Sequence, residues 1–409
     1  MDSIITYFLL FTSLYTEVFL LVTFFELRSS ITLVDNQDPR EYPSVTIIVP
    51  CFNEEKTIGG TIMSLLELNY PKDKLSIFIV DDGSTDATVA VAQKFQNNQN
   101  VKIFRKENGG KHTAFNLGLM NTTSDLVGCL DADSFVDPNA LRRIVLRFEN
   151  AEVMAVTPAM KVHEPKTIIQ LMQKAEYTMA IFNRKVLSFL GSLYITPGPF
   201  SIFRKSVFDK LGLYRKAYNT EDLEFGLRMQ THGLIIENAH DAYVYTATPR
   251  TVRALLKQRI RWSYGFFKNA FDHRALFFNR KYGNLSSFVL PIAILSLTSV
   301  VYFVIRFLLQ TFSASYNAIV KILTVGIHFG APGFPDWFFL NTGFATILGI
   351  TSVMFVFALI LLGKWLSSEG GPRISRDMFY FVALYAILAP LWITKAAYDA
   401  VLSHETPWR

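Results

Sequence analysis

Two cysteines in 409 residues, Cys51 and Cys129, are too few for a disulfide framework. Both fall in apolar runs and read as core thiols. Charge is also scarce. Only 18% of the residues are Asp, Glu, Lys or Arg, half are apolar, and the mean hydropathy of +0.26 is high for a soluble protein. No Gly-x-Gly-x-x-Gly follows the first strand-like run, and Gly-x-x-x-x-Gly-Lys-Ser/Thr is missing too. Dinucleotide oxidoreductases and P-loop enzymes are therefore disfavoured. The net charge of +6 is not gathered in a soluble basic domain, so nucleic acid is not an expected partner.

The apolar residues concentrate in four stretches, Ile4–Phe25, Phe288–Leu309, Phe338–Leu362 and Met378–Ala397. Each approaches or exceeds the ~20 residues needed to cross a bilayer. Arg306 and Lys395 lie near the ends of two of them, where long side chains can reach the headgroups. The first stretch has no basic n-region or small-residue cleavage site, and it reads as an anchor. Four spans put both termini on one side. The loop Gly363–Asp377 carries Lys364, Arg373 and Arg376, whereas Ser313–Trp337 carries only Lys321. The positive-inside rule then places Gly363–Asp377, and with it the large segment between the first two spans, in the cytoplasm of a multi-pass cell-membrane protein.

After a polar linker, Glu26–Tyr42, that segment alternates between strand and helix. Strands are expected at Ser44–Pro50, Ser76–Val80, Val101–Phe104 and Leu126–Leu130, and helices at Thr57–Leu66, Ala87–Phe95 and Lys111–Met120. Asp86 is placed to cap the second helix. This succession predicts a parallel α/β sheet with right-handed crossovers. Acidic pairs leave two strand ends, Asp81-Asp82 and Asp131-Ala132-Asp133. The carboxyl ends of such strands are where ligands bind, and two neighbouring carboxylates suit Mg²⁺ or Mn²⁺ shared with phosphates. The bland alternative for the second pair is a capped turn.

Farther on, Lys166–Gly191 reads as a long helix, followed by the turn Thr196–Phe200 and a short strand, Ser201–Arg204. Thr220-Glu221-Asp222 opens a helix over Leu223–Thr231. A Thr-x-x-Glu start is what any helix N-terminus favours, so Thr220 reads as structural and Asp222 as ambiguous. In Arg250–Tyr282, Trp262 and several Phe and Leu alternate with Arg253, Lys257, Arg259, Arg261 and Lys268 just before a span. A basic amphipathic helix in the membrane interface is expected there. Gln258, Arg261 and Trp262 are the candidates to turn inward.

With Asp81-Asp82-Gly83, Asp131-x-Asp133, Thr220-Glu221-Asp222 and Gln258-Arg259-Ile260-Arg261-Trp262 in this order, the chain resembles the membrane-embedded family 2 glycosyltransferases. Within them it is most similar to the processive synthases of cellulose, chitin or chito-oligosaccharide, hyaluronan and poly-N-acetylglucosamine. The resemblance covers about Pro43 to Gly283 and the order of the apolar stretches. It implies a GT-A fold, a Rossmann-like mixed sheet, and a UDP-sugar donor used with a divalent metal. By position, it implies that Pro50, Asn53 and Glu54 belong to the nucleotide-binding loop and that Asp81 and Asp82 hold the uridine. Lys111 and Asp131 would face the diphosphate, with Asp133 as the direct metal ligand and Asp131 beside it. Asp222, next to Glu221, would be the general base. Gln258 and Arg261 would grip the pyrophosphate, Trp262 would stack under the acceptor sugar, and Gly198, Pro199 and Phe200 would form the acceptor-side turn.

The expected organisation is an anchor (1–28), a catalytic domain (43–250, with a nucleotide half to 135 and an acceptor half after it), interface helices (251–287) and three spans forming a polymer channel (288–409). The chain ends about a dozen residues after the fourth stretch, so no cyclic-di-GMP-binding domain of the cellulose-synthase kind is expected. That group's gating-loop pattern is not evident in Gly363–Asp377. The leading expectation is an inverting, processive enzyme that extends and translocates a polysaccharide, with N-acetylglucosamine favoured over glucose and glucuronate. One alternative makes a single transfer to a lipid-linked acceptor. The other is an inactive membrane scaffold, which the clustered carboxylates weigh against.

Overall fold

The computed structural model describes residues 4–31, 38–326, 343–368 and 371–403. In chain order the elements are α1 (Ile4–Leu27), β1 (Val45–Cys51), α2 (Ile58–Leu66), β2 (Leu75–Asp81), α3 (Thr88–Gln93), β3 (Val101–Arg105), α4 (Lys111–Met120), β4 (Leu126–Cys129) and β5 (Ser134–Val136). Next come α5 (Ala140–Arg147), β6 (Val153–Val162), α6 (Ile168–Phe189), β7 (Ser201–Arg204), α7 (Ser206–Leu211), α8 (Glu221–Thr231), β8 (Ile235–Thr246) and α9 (Val252–Asp272). The apolar helices α10 (Leu290–Val325), α11 (Phe344–Leu366) and α12 (Arg376–Leu402) follow.

Eight strands form one sheet in the order β3-β2-β1-β4-β7-β6-β8-β5. The first four are parallel, and β7 turns the sheet antiparallel against β4. Strand β1 is buried along its whole length, which explains its unbroken apolar run. Pro50 sits at its end, past the last residue of β1 that pairs with β4, where its missing N–H leaves no gap in that ladder. From β1 the chain moves outward to β2 and β3, then returns to lay β4 on the other side of β1. The reversal leaves a crevice at the carboxyl ends of β1 and β4, where open α/β sheets bind ligands. Glu54 follows the first of these strands, and Asp131 and Asp133 follow the second.

Helix α6 joins the domain to its apolar helices. Thr167 caps it through a capping box with Gln170, and its faces pack on β6 and β8 on one side and on α1, α11 and α12 on the other. Four helices among the described residues are long and apolar enough to cross a membrane. Two expectations need correction. Helix α10 runs on past Leu309 to Val325, because no Gly or Pro interrupts it between Pro291 and Gly326. Arg306 is thus mid-helix, with its guanidinium donating to the Thr6 hydroxyl of α1. Residues 338–342 of the expected third span lie outside the described residues.

Candidate active site

The loops that leave β1 and β2 are stapled together by short polar bonds. Asn53 N–H donates to Ser84 Oγ at 2.9 Å, Asn53 Oδ1 accepts from Thr85 N–H at 2.9 Å, and Asp82 N–H donates to the Cys51 carbonyl at 2.9 Å. Asn53 adopts a left-handed φ of 56°, a region Asn tolerates better than most residues. Asp86 accepts from the Thr88 N–H at 2.9 Å, fastening the start of α3. Asp81 accepts from Ser84 N–H at 3.2 Å. Asp82 is buried, and its oxygens accept from Lys106 Nζ at 2.6 Å, Gly109 N–H at 3.0 Å and Gly110 N–H at 2.7 Å. Asp82 therefore orders the turn that launches α4 and aims its first residue, Lys111.

Lys111 Nζ is ion-paired to Asp131 Oδ1. Burial alone would lower the Lys111 pKa, but Asp131, with Glu221 adding to it, raises it above its ordinary value. Asp133 is two residues on, inside a tight turn closed by Ser134 N–H to the Asp131 carbonyl at 3.0 Å. Burial, the Asp131 charge and the Glu54 charge push the Asp133 carboxyl up to about 7. Three carboxylates thus share one crevice, and Lys111, ion-paired to Asp131, acts on Asp133 through its charge alone.

The turn Thr196–Phe200 is built onto this cluster. Gly198 lies so close to Lys111 Nζ and the Asp131 carboxylate that a Cβ there would clash with both. Phe200 is fully buried at a φ of 64°, an unusual backbone state for a bulky residue. It is held by its N–H to the Cys129 carbonyl at 2.6 Å and by Ser201 Oγ to the Pro197 carbonyl at 2.6 Å. Thr196 donates through both N–H (3.2 Å) and Oγ1 (3.0 Å) to the Asp222 carbonyl, tying this turn to the start of α8. Glu221 is buried there, its pKa raised by burial and by Asp222 against the opposing charges of Lys111 and Arg261. Thr220 is structural, donating to the Ala217 carbonyl and accepting from Asn269 Nδ2 at 2.9 Å. No side-chain cap bond from Thr220 to α8 forms.

Helix α9 closes the site from below. Arg261 donates to the Asn219 carbonyl at 3.0 Å, and Gln258 Oε1 is buried with no hydrogen-bond partner among the described residues. Trp262 is half-buried, with the Arg259 guanidinium 4.4 Å from its ring centroid. Arg259 read as an interfacial charge in the sequence. Instead it is buried and pairs with Glu176 Oε2 of α6 at 2.8 Å, while also bonding Tyr177. Tyr177 lies within electrostatic reach of Asp133, and Arg184, one helical face along, within reach of Asp222. Sequence reasoning missed Glu176, Tyr177 and Arg184. Their one signal was polar residues spaced seven to eight apart on an otherwise apolar helix.

This arrangement yields a first prediction. Arg259→Ala strands the Glu176 carboxylate in the interior and removes one face of support from Trp262. Losing one partner of a buried pair costs about 3–5 kcal/mol. Thermal unfolding in detergent is expected to show a clear drop in Tm, which Glu176→Gln, keeping a polar partner for Arg259, should reproduce only in part.

Residues 46–212 match the family model described as glycosyl transferase family 2. They form a family 2 glycosyltransferase domain. Two curated relatives extend the likeness past it. The poly-beta-1,6-N-acetyl-D-glucosamine synthase of Staphylococcus aureus (strain COL) is 30% identical over 243 residues, 59% of this chain and 58% of its own length. That of Staphylococcus epidermidis is 29% identical over 236 residues, 57% of each. The chain thus spans somewhat over half the length of these relatives. Among solved structures, a mannosyltransferase from Pyrobaculum calidifontis, in complex with GDP-Man and Mn2+, covers 97% of this chain and 98% of its own at a TM-score of 0.63 and 19% identity. That likeness extends the fold of the family 2 domain to its flanking apolar helices. The mixed, Rossmann-like sheet agrees with the GT-A expectation.

Proposed function

We propose that this chain is a processive, inverting synthase that transfers N-acetylglucosamine from UDP-N-acetylglucosamine to the end of a growing β-1,6-linked polysaccharide. The observation that carries this reading is the tie between donor and acceptor sides. Gly198 rests on the Lys111–Asp131 pair, while its turn is bonded to the Asp222 carbonyl. A sugar diphosphate on one side and a hydroxyl on the other would meet beside Asp222. The named product of the staphylococcal relatives supports the choice of sugar and linkage.

In this reading the crevice after β1 and β2 takes the nucleoside, with Pro50, Asn53, Glu54, Asp81 and Asp82 shaping it. Lys111, Arg261 and Gln258 hold the diphosphate. Asp222 takes the proton from the acceptor hydroxyl, whose oxygen attacks the anomeric carbon on the face away from UDP. Gly198, Pro199, Phe200 and Trp262 hold the acceptor. A divalent cation fits the donor side, because Asp133 is a half-buried carboxyl crowded by the charges of Asp131 and Glu54, which Lys111 offsets only in part. Among the described residues no three His, Cys, Asp or Glu side chains form a self-contained cage. The cation would therefore rest on Asp133 and Asp131 and share phosphate oxygens and water. It would supply neutralising charge for the departing diphosphate. By the positive-inside bias the domain faces the cytoplasm at the cell membrane, and the product leaves across the bilayer along the apolar helices.

Asp133→Ala is expected to weaken UDP binding and raise the metal concentration for half-maximal turnover, by at least the roughly 10–100-fold that loss of a supporting metal-site residue costs. Titrations of Mn²⁺ and Mg²⁺ against UDP affinity check this, and unchanged values would move the metal role elsewhere. The proposed donor is tested by a UDP-release screen in purified protein. UDP-N-acetylglucosamine should be turned over fastest, and a clear preference for UDP-glucose or UDP-glucuronate would overturn the sugar assignment.

A further inference from the structure

Helix α12 has the length and hydropathy of a span, but its start is held to the end of α11 that rests on β6 and its other end is held to α9. At its start, Lys364 of α11 holds Ser375 and Asp377, the latter at 3.5 Å. Three residues beyond Lys364, the Ser367 carbonyl accepts from Lys161 Nζ of β6 at 2.9 Å. At its end, Ser403 Oγ accepts from Lys268 Nζ of α9 at 3.3 Å. The same ammonium lies 5.6 Å from the Tyr218 ring centroid, and Tyr218 OH donates to Asp272 at 2.9 Å, just ahead of the Thr220–Asp222 site. Midway, Tyr385 bonds Glu176 of α6. Twenty-seven helical residues measure about 40 Å, and the hydrocarbon core is about 30 Å thick. A helix crossing that core cannot have both ends against one domain surface.

The other three apolar helices behave differently. Each meets the domain at one end, α1 through Phe24 on Phe182, α10 through Leu290 and the preceding Leu285 against Leu223 and Leu227, and α11 through Gly363 against the Thr178 carbonyl. Their far ends stand clear, with Ile4 88%, Leu323 79% and Phe344 61% exposed. In the most apolar window of α12, 39% of residues are buried, against 11–17% in the others. Its buried face runs the whole length, from Met378 through Phe381, Leu388 and Trp392 to Ala396, and the opposite face presents Phe379, Ile387, Leu391, Tyr398 and Val401.

We propose that α12 does not cross the bilayer. It lies in the leaflet beneath the catalytic domain, strapped across α6 and α9, with its outer apolar face against lipid chains. The chain then crosses three times, through α1, α10 and α11. Residue 403 shares a side with the domain, while the start of α1 lies on the other. This revises the four-span topology and the three-helix channel read from the sequence.

The test uses the full chain with one epitope tag before Met1 and another after Arg409, in sealed vesicles with the catalytic domain outward. Protease added outside is expected to remove the tag after Arg409 and spare the tag before Met1 until detergent is added. Protection of both tags until detergent would overturn the proposal, because it is the result that a crossing α12 requires.

Discussion

Asp222→Asn is expected to lower sugar transfer by about 10²–10⁴-fold, the usual contribution of a general base, while UDP binding stays close to normal. The substitution keeps shape and removes only basicity. Asn can still accept the Leu223 N–H that Asp222 Oδ1 accepts at 2.9 Å, so the start of α8 should hold. The carbonyl that anchors Thr196 belongs to the backbone and is untouched. Loss of rate with intact nucleotide affinity and Tm is therefore the signature of a missing base. A variant keeping more than about a third of the wild-type rate, far above the general-base range, would exclude Asp222 from that role.

Trp262→Ala is expected to have the second largest effect, on elongation more than on chemistry. An aromatic ring under a sugar offers contact to its C–H face wherever the polymer stands, and removing such an anchor costs on the order of 2–4 kcal/mol. Nucleotide binding should change little, because the proposed diphosphate contacts are Lys111, Gln258 and Arg261. The competing role for Trp262 is an interfacial anchor for α9. The Arg259 guanidinium against its ring, itself paired with Glu176, shows Trp262 also supported from within the domain. A platform predicts folded protein that hydrolyses UDP-sugar with little elongation, whereas an anchor predicts low yield and low Tm with normal product length. Stable Trp262→Ala protein that makes full-length product would refute the platform.

The part of the domain up to β4 was legible because β1, β2 and β4 are buried on both faces and its carboxylates stand at strand ends. Expected Lys111–Met120 coincides with α4, and β1, β2 and β4 agree to within a residue or so. The part after β4 was not. β6 is broken by Thr157, Pro158 and Lys161, with a register shift beside Pro158, and β8 carries Asn238, His240 and Asp241 inside its run, so neither shows an unbroken apolar run or a clean alternation. Asp241 finds its partner far along the chain, in Arg147 at 3.2 Å, and neither ring nitrogen of the buried His240 has a hydrogen-bond partner among the described residues. Asp82 shows a second limit. Its acidity marked the site, but that it orders the Gly109-Gly110 turn emerges only in three dimensions. Likewise, composition cannot separate a span from a helix clamped along a domain, and α12 is apolar enough for either.

The processive claim is tested most directly by incubating purified, detergent-solubilised protein with labelled UDP-N-acetylglucosamine and a divalent cation and sizing the product. A ladder or polymer that lengthens with time, and whose label is released by an enzyme specific for β-1,6-linked N-acetylglucosamine, is the predicted result. A product that stops at one added sugar would contradict it and point to single transfer onto a lipid-linked acceptor.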